Sequence, residues 1–254
     1  MPMVNEDGWA SYVRRFHLER AGITEAVIGG ARHGVVSPYQ WAVQALGPSG
    51  PVVDLACGSA PVHRLITASS YIGLDSSAAE LVLAARAGAR SLVLADAGDV
   101  PLAAGMAAAV VCSMSLQILQ PLDRTLIEVA RILRPGGVFV ALLPASGPLS
   151  LRDQIHYARL LVALRRCRLG YPNDDALASP VRLFHACGLD VVSDERCRFG
   201  LAICARADSD AFVRSLYLPG GPPARETAAA SVARRWLGRE IGIPLRRIVA
   251  TRLG

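Results

Sequence analysis

The 254-residue sequence predicts an α/β fold, a doubly wound and mostly parallel sheet of seven strands with an N-terminal helical cap and a helical insert after the fifth strand. Three observations predict it. Residues 51–55 are an apolar run broken only by Asp54 and bounded by Gly50 and Gly58, as in a strand buried on both faces. Similar runs alternate with helix-period stretches, the pattern of parallel strands joined by right-handed crossovers. Two acids, Asp54 and Asp75, stand 21 residues apart in the first two runs, at strand ends where such sheets bind ligands.

Each element follows in order. Trp9, Tyr12, Val13 and Phe16 share one face of a helix over 9–17, and Gly29-Gly30 reads as a turn. A second helix over about 37–46 opens at Ser37-Pro38 and carries Tyr39 and Trp41. Residues 1–48 are therefore expected to form the cap, and 49–254 the main domain, with the insert at about 145–180. After the first strand come Ala56-Cys57-Gly58-Ser59-Ala60-Pro61, small residues on which backbone can turn sharply and lie against a ligand. Pro61 suits the first turn of a helix, whose free N–H groups and positive dipole end would face that loop. The second strand, 70–75, ends on Asp75, placed to accept hydrogen bonds from both hydroxyls of a ribose. A dinucleotide site would show G-x-G-x-x-G. Here the loop departs from that pattern and Pro61 removes a phosphate donor, which points to a nucleoside carrying no phosphate.

Ser77-x-x-Glu80 reads as a capping box for a helix that carries Leu81, Val82 and Ala85 and ends at Gly88. The third strand is 90–96, ending on Asp96. The fourth, 107–116, is almost wholly apolar and belongs in the sheet centre, with Ser113 emerging at the ligand edge. A helix over 121–133 starts at proline and stops at Arg134-Pro135-Gly136-Gly137, before a fifth strand over 138–143. Leu151, Ile155, Ala158, Leu161 and Leu164 stripe a helix over 151–168, which would sit above the strand ends and carries His156 and Tyr157. A turn-rich connector at 170–175 leads to a helix over 176–187, a sixth strand over 189–199 and helices over 211–218 and 225–237. The last strand, 245–251, is expected antiparallel beside the sixth.

Four blocks, VVDLACGSA, YIGLDSS, VLADAGDVPL and LRPGG, span about residues 51–140 in order and in register. The sequence resembles the class I S-adenosylmethionine-dependent methyltransferases, in the branch that includes the ubiquinone- and menaquinone-type and many small-molecule enzymes. That resemblance implies a Rossmann-like sheet, S-adenosylmethionine as cofactor with S-adenosylhomocysteine as product, and no metal. It implies a cofactor site of Asp54, Ala56, Cys57, Gly58, Asp75, Ser76, Asp96, Ala97 and Ser113, with Asp96 beside the adenine. Cap and insert would shape the acceptor pocket, where Tyr12, Phe16, His156 and Tyr157 are the candidates and His156 could serve as base. Two departures stand out. Ala56 and Ala60 replace glycines of the family loop, and Gln117 stands where relatives often have histidine. A base is needed only when the acceptor loses a proton, so O-, N- and C-methylation all remain open.

With 52 % apolar residues, the chain can bury about 70–75 % of its unfolded surface. No apolar run approaches the roughly 18 residues of a membrane span and the N-terminus lacks a signal-peptide pattern, so a cytoplasmic protein without membrane contact is expected. Six cysteines show no C-x-x-C pair or metal spacing and read as reduced thiols. The net charge of +6 is carried by arginine alone, scattered along the chain, which argues against nucleic acid and for a small-molecule acceptor. Three readings compete: a methyltransferase for a small, partly apolar molecule, an RNA- or protein-modifying one, and a cofactor-binding module without catalysis. The oligomeric state is left open.

Overall fold

A computed structural model describes residues 6–47, 50–66 and 70–254. Three helices precede the sheet: α1 (Glu6–Glu19), α2 (Ile23–Gly30) and α3 (Pro38–Val43). α3 begins at a full capping box, in which Ser37 Oγ accepts from the Gln40 N–H and the Gln40 side chain accepts from the Ser37 N–H. The sequence reading missed α2. Its residues Thr24, Val27 and Ile28 are buried, and Gly29-Gly30 close the helix instead of forming a turn.

The sheet contains β1 (Val52–Leu55), β2 (Tyr71–Asp75), β3 (Leu92–Leu94), β4 (Ala107–Ser113), β5 (Leu133–Pro144), β6 (Leu189–Ile203) and β7 (Arg239–Arg252). Their order is β3-β2-β1-β4-β5-β7-β6, with β7 antiparallel to both of its neighbours. The chain winds outward in both directions from β1 and β4, so the crevice beyond their carboxyl ends is the switch point where open α/β sheets bind ligands. Both faces are covered. Val52, Ala109, Val111, Val140 and Leu142 pack on one side, against α6 (Leu151–Leu164), α9 (Arg206–Arg214) and α10 (Pro223–Ala233). Val53, Val110, Cys112, Phe139 and Ala141 face the other side, against α5 (Leu122–Ile132), α7 (Asp174–Ala178) and α8 (Pro180–Ala186). This period of two with both faces buried explains why β1, Asp54 apart, and β4 read as apolar runs.

The structure corrects several boundaries. No α-helix lies between β1 and β2 among the described residues; Pro61 leads into a single 3-10 turn, His63–Leu65, so no helix dipole faces the loop. The expected helix over 176–187 is two, because Pro180 lacks an N–H and opens α8 at its own first turn. β5 starts at Leu133, pairs with Ala107, and resumes register at Val138 after a bulge in which Gly136 has φ 71°. β6 and β7 run well beyond 189–199 and 245–251, since each completes the other's ladder from Leu189↔Arg252 to Ile203↔Arg239. Between β2 and β3 lies α4 (Ala78–Arg86). All six cysteines are unpaired thiols, and no helix among the described residues is long and apolar enough to cross a membrane.

One acid fastens the helix that follows β5. Asp153, fully buried, closes a capping box with Ser150, accepts from the Gly242 N–H at 2.8 Å, and meets Arg198 Nε at 2.7 Å. α6 is thereby tied to both β6 and β7.

Candidate functional site

The loop after β1 is held open by three left-handed residues in alternation: Ala56 (φ 53°), Gly58 (φ 53°) and Ala60 (φ 59°). Alanine rarely adopts this conformation, because its Cβ crowds the following carbonyl at a cost of about 1 kcal/mol or more. Alanines stand at two of the glycine positions, yet the glycine-type geometry is kept. Asp75, at the end of β2, pins the loop. Its Oδ2 accepts from the Gly58 N–H at 2.8 Å and its Oδ1 from the Ser77 N–H at 2.8 Å. A carboxylate has about four acceptor positions, so one remains on each oxygen for a vicinal diol. Burial raises the Asp75 pKa, against the lowering effect of those two N–H groups.

The other expected cofactor residues divide. Asp54 is 1 % exposed and faces inward, accepting from the Tyr71 hydroxyl at 2.8 Å; burial pushes its carboxyl up to about 8. Its carboxylate therefore braces β1 against β2 and does not face the crevice. Cys57 likewise turns its thiol into the core, and only its backbone belongs to the loop. Ser76 is exposed; Asp96, two residues beyond β3, is exposed and accepts from the Gly98 N–H at 2.7 Å, with Ala97 buried next to it. Ser113 ends β4 with an Oγ that has no partner, while Ser115 Oγ donates to the Ser113 carbonyl at 3.1 Å and the Ala56 carbonyl at 3.4 Å. Gly58, Asp75 and Ser113 thus gather at the ends of β2, β1 and β4.

A group of acids surrounds the loop, and sequence reasoning missed its organisation. Glu80 does not complete the capping box on Ser77. Its buried carboxylate accepts from the Gly22 N–H at 3.0 Å and lies 2.7 Å from His17 Nδ1. The other ring nitrogen, Nε2, is 2.9 Å from the Tyr217 hydroxyl. A carboxylate only accepts, so Nδ1 carries a proton, and in the neutral ring Nε2 accepts from Tyr217. Burial disfavours a charged His17, but the hydrogen bond and charge of Glu80, with Glu25 and Asp75 behind, win and raise its pKa. No local motif marks this chain, because Glu80 and Tyr217 lie 63 and 200 residues from His17.

A cavity of about 600 Å³ opens at the carboxyl ends of β4 and β5, lined by none of the expected cofactor residues. Met114, Pro144, Val27, Tyr157, Tyr171 and Tyr217 are among its lining residues, a mostly apolar wall with hydroxyls set into it. Of the four acceptor-pocket candidates, Tyr157 lines this cavity, with its hydroxyl donating to the Gly242 carbonyl at 3.0 Å. Phe16 is buried behind the wall, its ring 4.5 Å from that of Tyr217, and Tyr12 spends its hydroxyl accepting from the Leu218 N–H at 2.7 Å. These two support Tyr217 instead of lining the pocket. His156 points away altogether. It is 4 % exposed, its ring tilted against that of Trp236 with centroids 5.5 Å apart, has no partner on either nitrogen, and burial lowers its pKa. It is a packing residue of the α6–α10 interface, not a base at the cavity. Gln117 lines the cavity and has its Oε1 buried without a partner. No cluster of described residues could hold a metal ion.

Comparison with known proteins agrees with this geometry. A methyltransferase-domain family model matches residues 53–141. Trans-aconitate 2-methyltransferase of Deinococcus radiodurans is 36 % identical over 113 residues, 41 % of this chain and 43 % of that protein, so the match spans under half of the relative's length. Among solved structures, the [4+2]-cyclase SpnF is similar with a TM-score of 0.56 at 18 % identity, over 98 % of this chain and 94 % of the other. A geranyl diphosphate methyltransferase bound to its substrate and sinefungin is similar with a TM-score of 0.54 at 17 % identity, over 97 % and 100 %. The four blocks, the strand order and the domain match agree with one another: residues 53–141 match a methyltransferase domain, set in a sheet with the strand order of the class I S-adenosylmethionine-dependent methyltransferase fold.

Proposed function

We propose that the protein transfers a methyl group from S-adenosylmethionine to a small, partly apolar acceptor held in the 600 Å³ cavity. The observation that carries this reading is the position of that cavity, at the carboxyl ends of β4 and β5, the edge of the sheet from which the acid-lined loop also emerges. Asp75 would hold the ribose hydroxyls, with the backbone of Ala56, Cys57 and Gly58 beneath the methionine end and Ser76, Asp96 and Ala97 toward the adenine. When bound, the cofactor supplies a sulfonium methyl that is already electrophilic. The protein's part is then to orient an acceptor atom in line with it and to exclude water. The apolar wall around Val27 and Met114 serves both ends, and Tyr157 and Gln117 supply polar contacts. Where the acceptor is a hydroxyl, Tyr217 takes its proton while passing its own to His17 Nε2, and Glu80 stabilises the imidazolium that results.

The trans-aconitate and geranyl diphosphate enzymes act on small molecules, which supports an acceptor of that size for this chain. SpnF, a [4+2]-cyclase, keeps open a second reading in which the same fold acts without methyl transfer. A methyl-release screen of metabolite pools with labelled S-adenosylmethionine tests the proposal. Label appearing in a small organic product supports it; binding of the cofactor with no labelled product from any pool would favour the second reading.

A further inference from the structure

Glu25 was not singled out by sequence, and nothing in the mechanism above uses it. It projects from α2 onto the loop, where its Oε1 lies 2.0 Å from the position that a Cβ on Gly58 would take. Its Oε2 is buried and has no hydrogen-bond partner. A buried carboxylate oxygen left in this state costs free energy, unless a ligand completes it. The surroundings do not complete it. Asp75 on β2 and Glu80 on α4 add negative charge nearby, Asp54 on β1 adds a carboxyl that burial holds largely protonated, Tyr39 and Tyr217 add neutral phenols, and His17 is the basic group facing Glu25. His17 is already committed to Glu80. An acid-rich cluster with an open carboxylate oxygen against Gly58 suits a cation.

We infer that Glu25 pairs with the positive charge at the methionine end of the cofactor, either its α-ammonium or its sulfonium. This rests on the cofactor reading of the loop. It also makes uptake proton-linked. Burial, followed by the charge of Glu80, pushes the Glu25 carboxyl up to about 7, so near pH 6 it is largely protonated before a cation arrives. An arriving cation favours the carboxylate and expels that proton, an exchange that vanishes above about pH 8.

Calorimetric titration of the full chain tests this with three ligands. S-adenosylmethionine carries both charges, S-adenosylhomocysteine keeps only the ammonium, and 5′-methylthioadenosine has neither. Glu25→Gln, which keeps size and packing, should weaken S-adenosylmethionine by about 10- to 100-fold and leave 5′-methylthioadenosine unchanged. An equal loss for S-adenosylhomocysteine assigns the ammonium; no loss for it assigns the sulfonium. At pH 6, titrations in buffers of different ionisation heat should show proton release by the wild type that disappears in Glu25→Gln. Unchanged or tighter S-adenosylmethionine binding by Glu25→Gln would overturn the inference, the latter making Glu25 a plug of the loop. A wild type that binds none of the three ligands would overturn the cofactor reading itself.

Discussion

The loop half of the sheet and the half built from β5, β6 and β7 treat buried charge in opposite ways. In the second, acids are paired with arginines whether buried or exposed. Asp153 meets Arg198 at 2.7 Å, Asp194 binds Arg246 through two contacts of 2.6 Å, and Glu195 takes Arg247 at 2.8 Å. The strands there are 12 to 15 residues long and their ladders are continuous but for single bulges. In the first, strands of 3 to 7 residues converge on Glu25, Asp75 and Glu80, with one imidazole among them. Left-handed alanines sit in the same place. Unpaired charge and backbone strain collect where a ligand is expected to settle them, and the rest of the molecule provides the rigidity that holds them.

That contrast can be broken from either side. The largest effect should come from the scaffold. Asp153→Asn removes the charge partner of Arg198 and turns one of two accepting oxygens into a donor, so the donors of Ser150, Arg198 and Gly242 can no longer all be met, and should lower stability by about 3 kcal/mol in denaturant melts. Cofactor affinity of the folded fraction should not change. Next, Tyr217→Phe keeps the ring against Phe16 but cuts the link to His17. With a hydroxyl acceptor from the screen, its turnover number should fall about 100-fold, with little change in the Michaelis constant. Loss only in the Michaelis constant would reduce Tyr217 to a wall residue. The smallest effect sharpens the strain argument. Ala56→Gly relieves a positive φ and should raise stability by about 0.5–1 kcal/mol; a destabilised variant would mean that the alanine methyl packs better than its backbone suffers.

How much was legible in the sequence follows the same division. The strands β1 to β5 and the switch point could be read because doubly buried strands are apolar runs and because acids and small residues mark their ends. Helix α2 could not, since Ile23–Gly30 ends in two glycines that signal a turn. The short turn after the loop was missed because Pro61 is equally at home in a helix start and in a turn. Long-range partnerships were out of reach. Glu80 looked like half of a capping box, as its real partners His17 and Gly22 come from the cap. His156 looked like a candidate base because helical spacing alone does not tell which face meets α10. Asp54 looked like a ligand residue, whereas the parallel register of β1 and β2 brings Tyr71 to its carboxylate.

The central claim is that Asp75 and its loop hold S-adenosylmethionine by the ribose. It is tested most directly by titrating S-adenosylhomocysteine into the wild type and into Asp75→Ala, with circular dichroism to establish that both are folded. Loss of a charged acceptor for two hydroxyls predicts saturable binding by the wild type and an affinity lower by about 10- to 150-fold in the variant, some 1.5–3 kcal/mol. Equal dissociation constants for the two proteins would contradict the account.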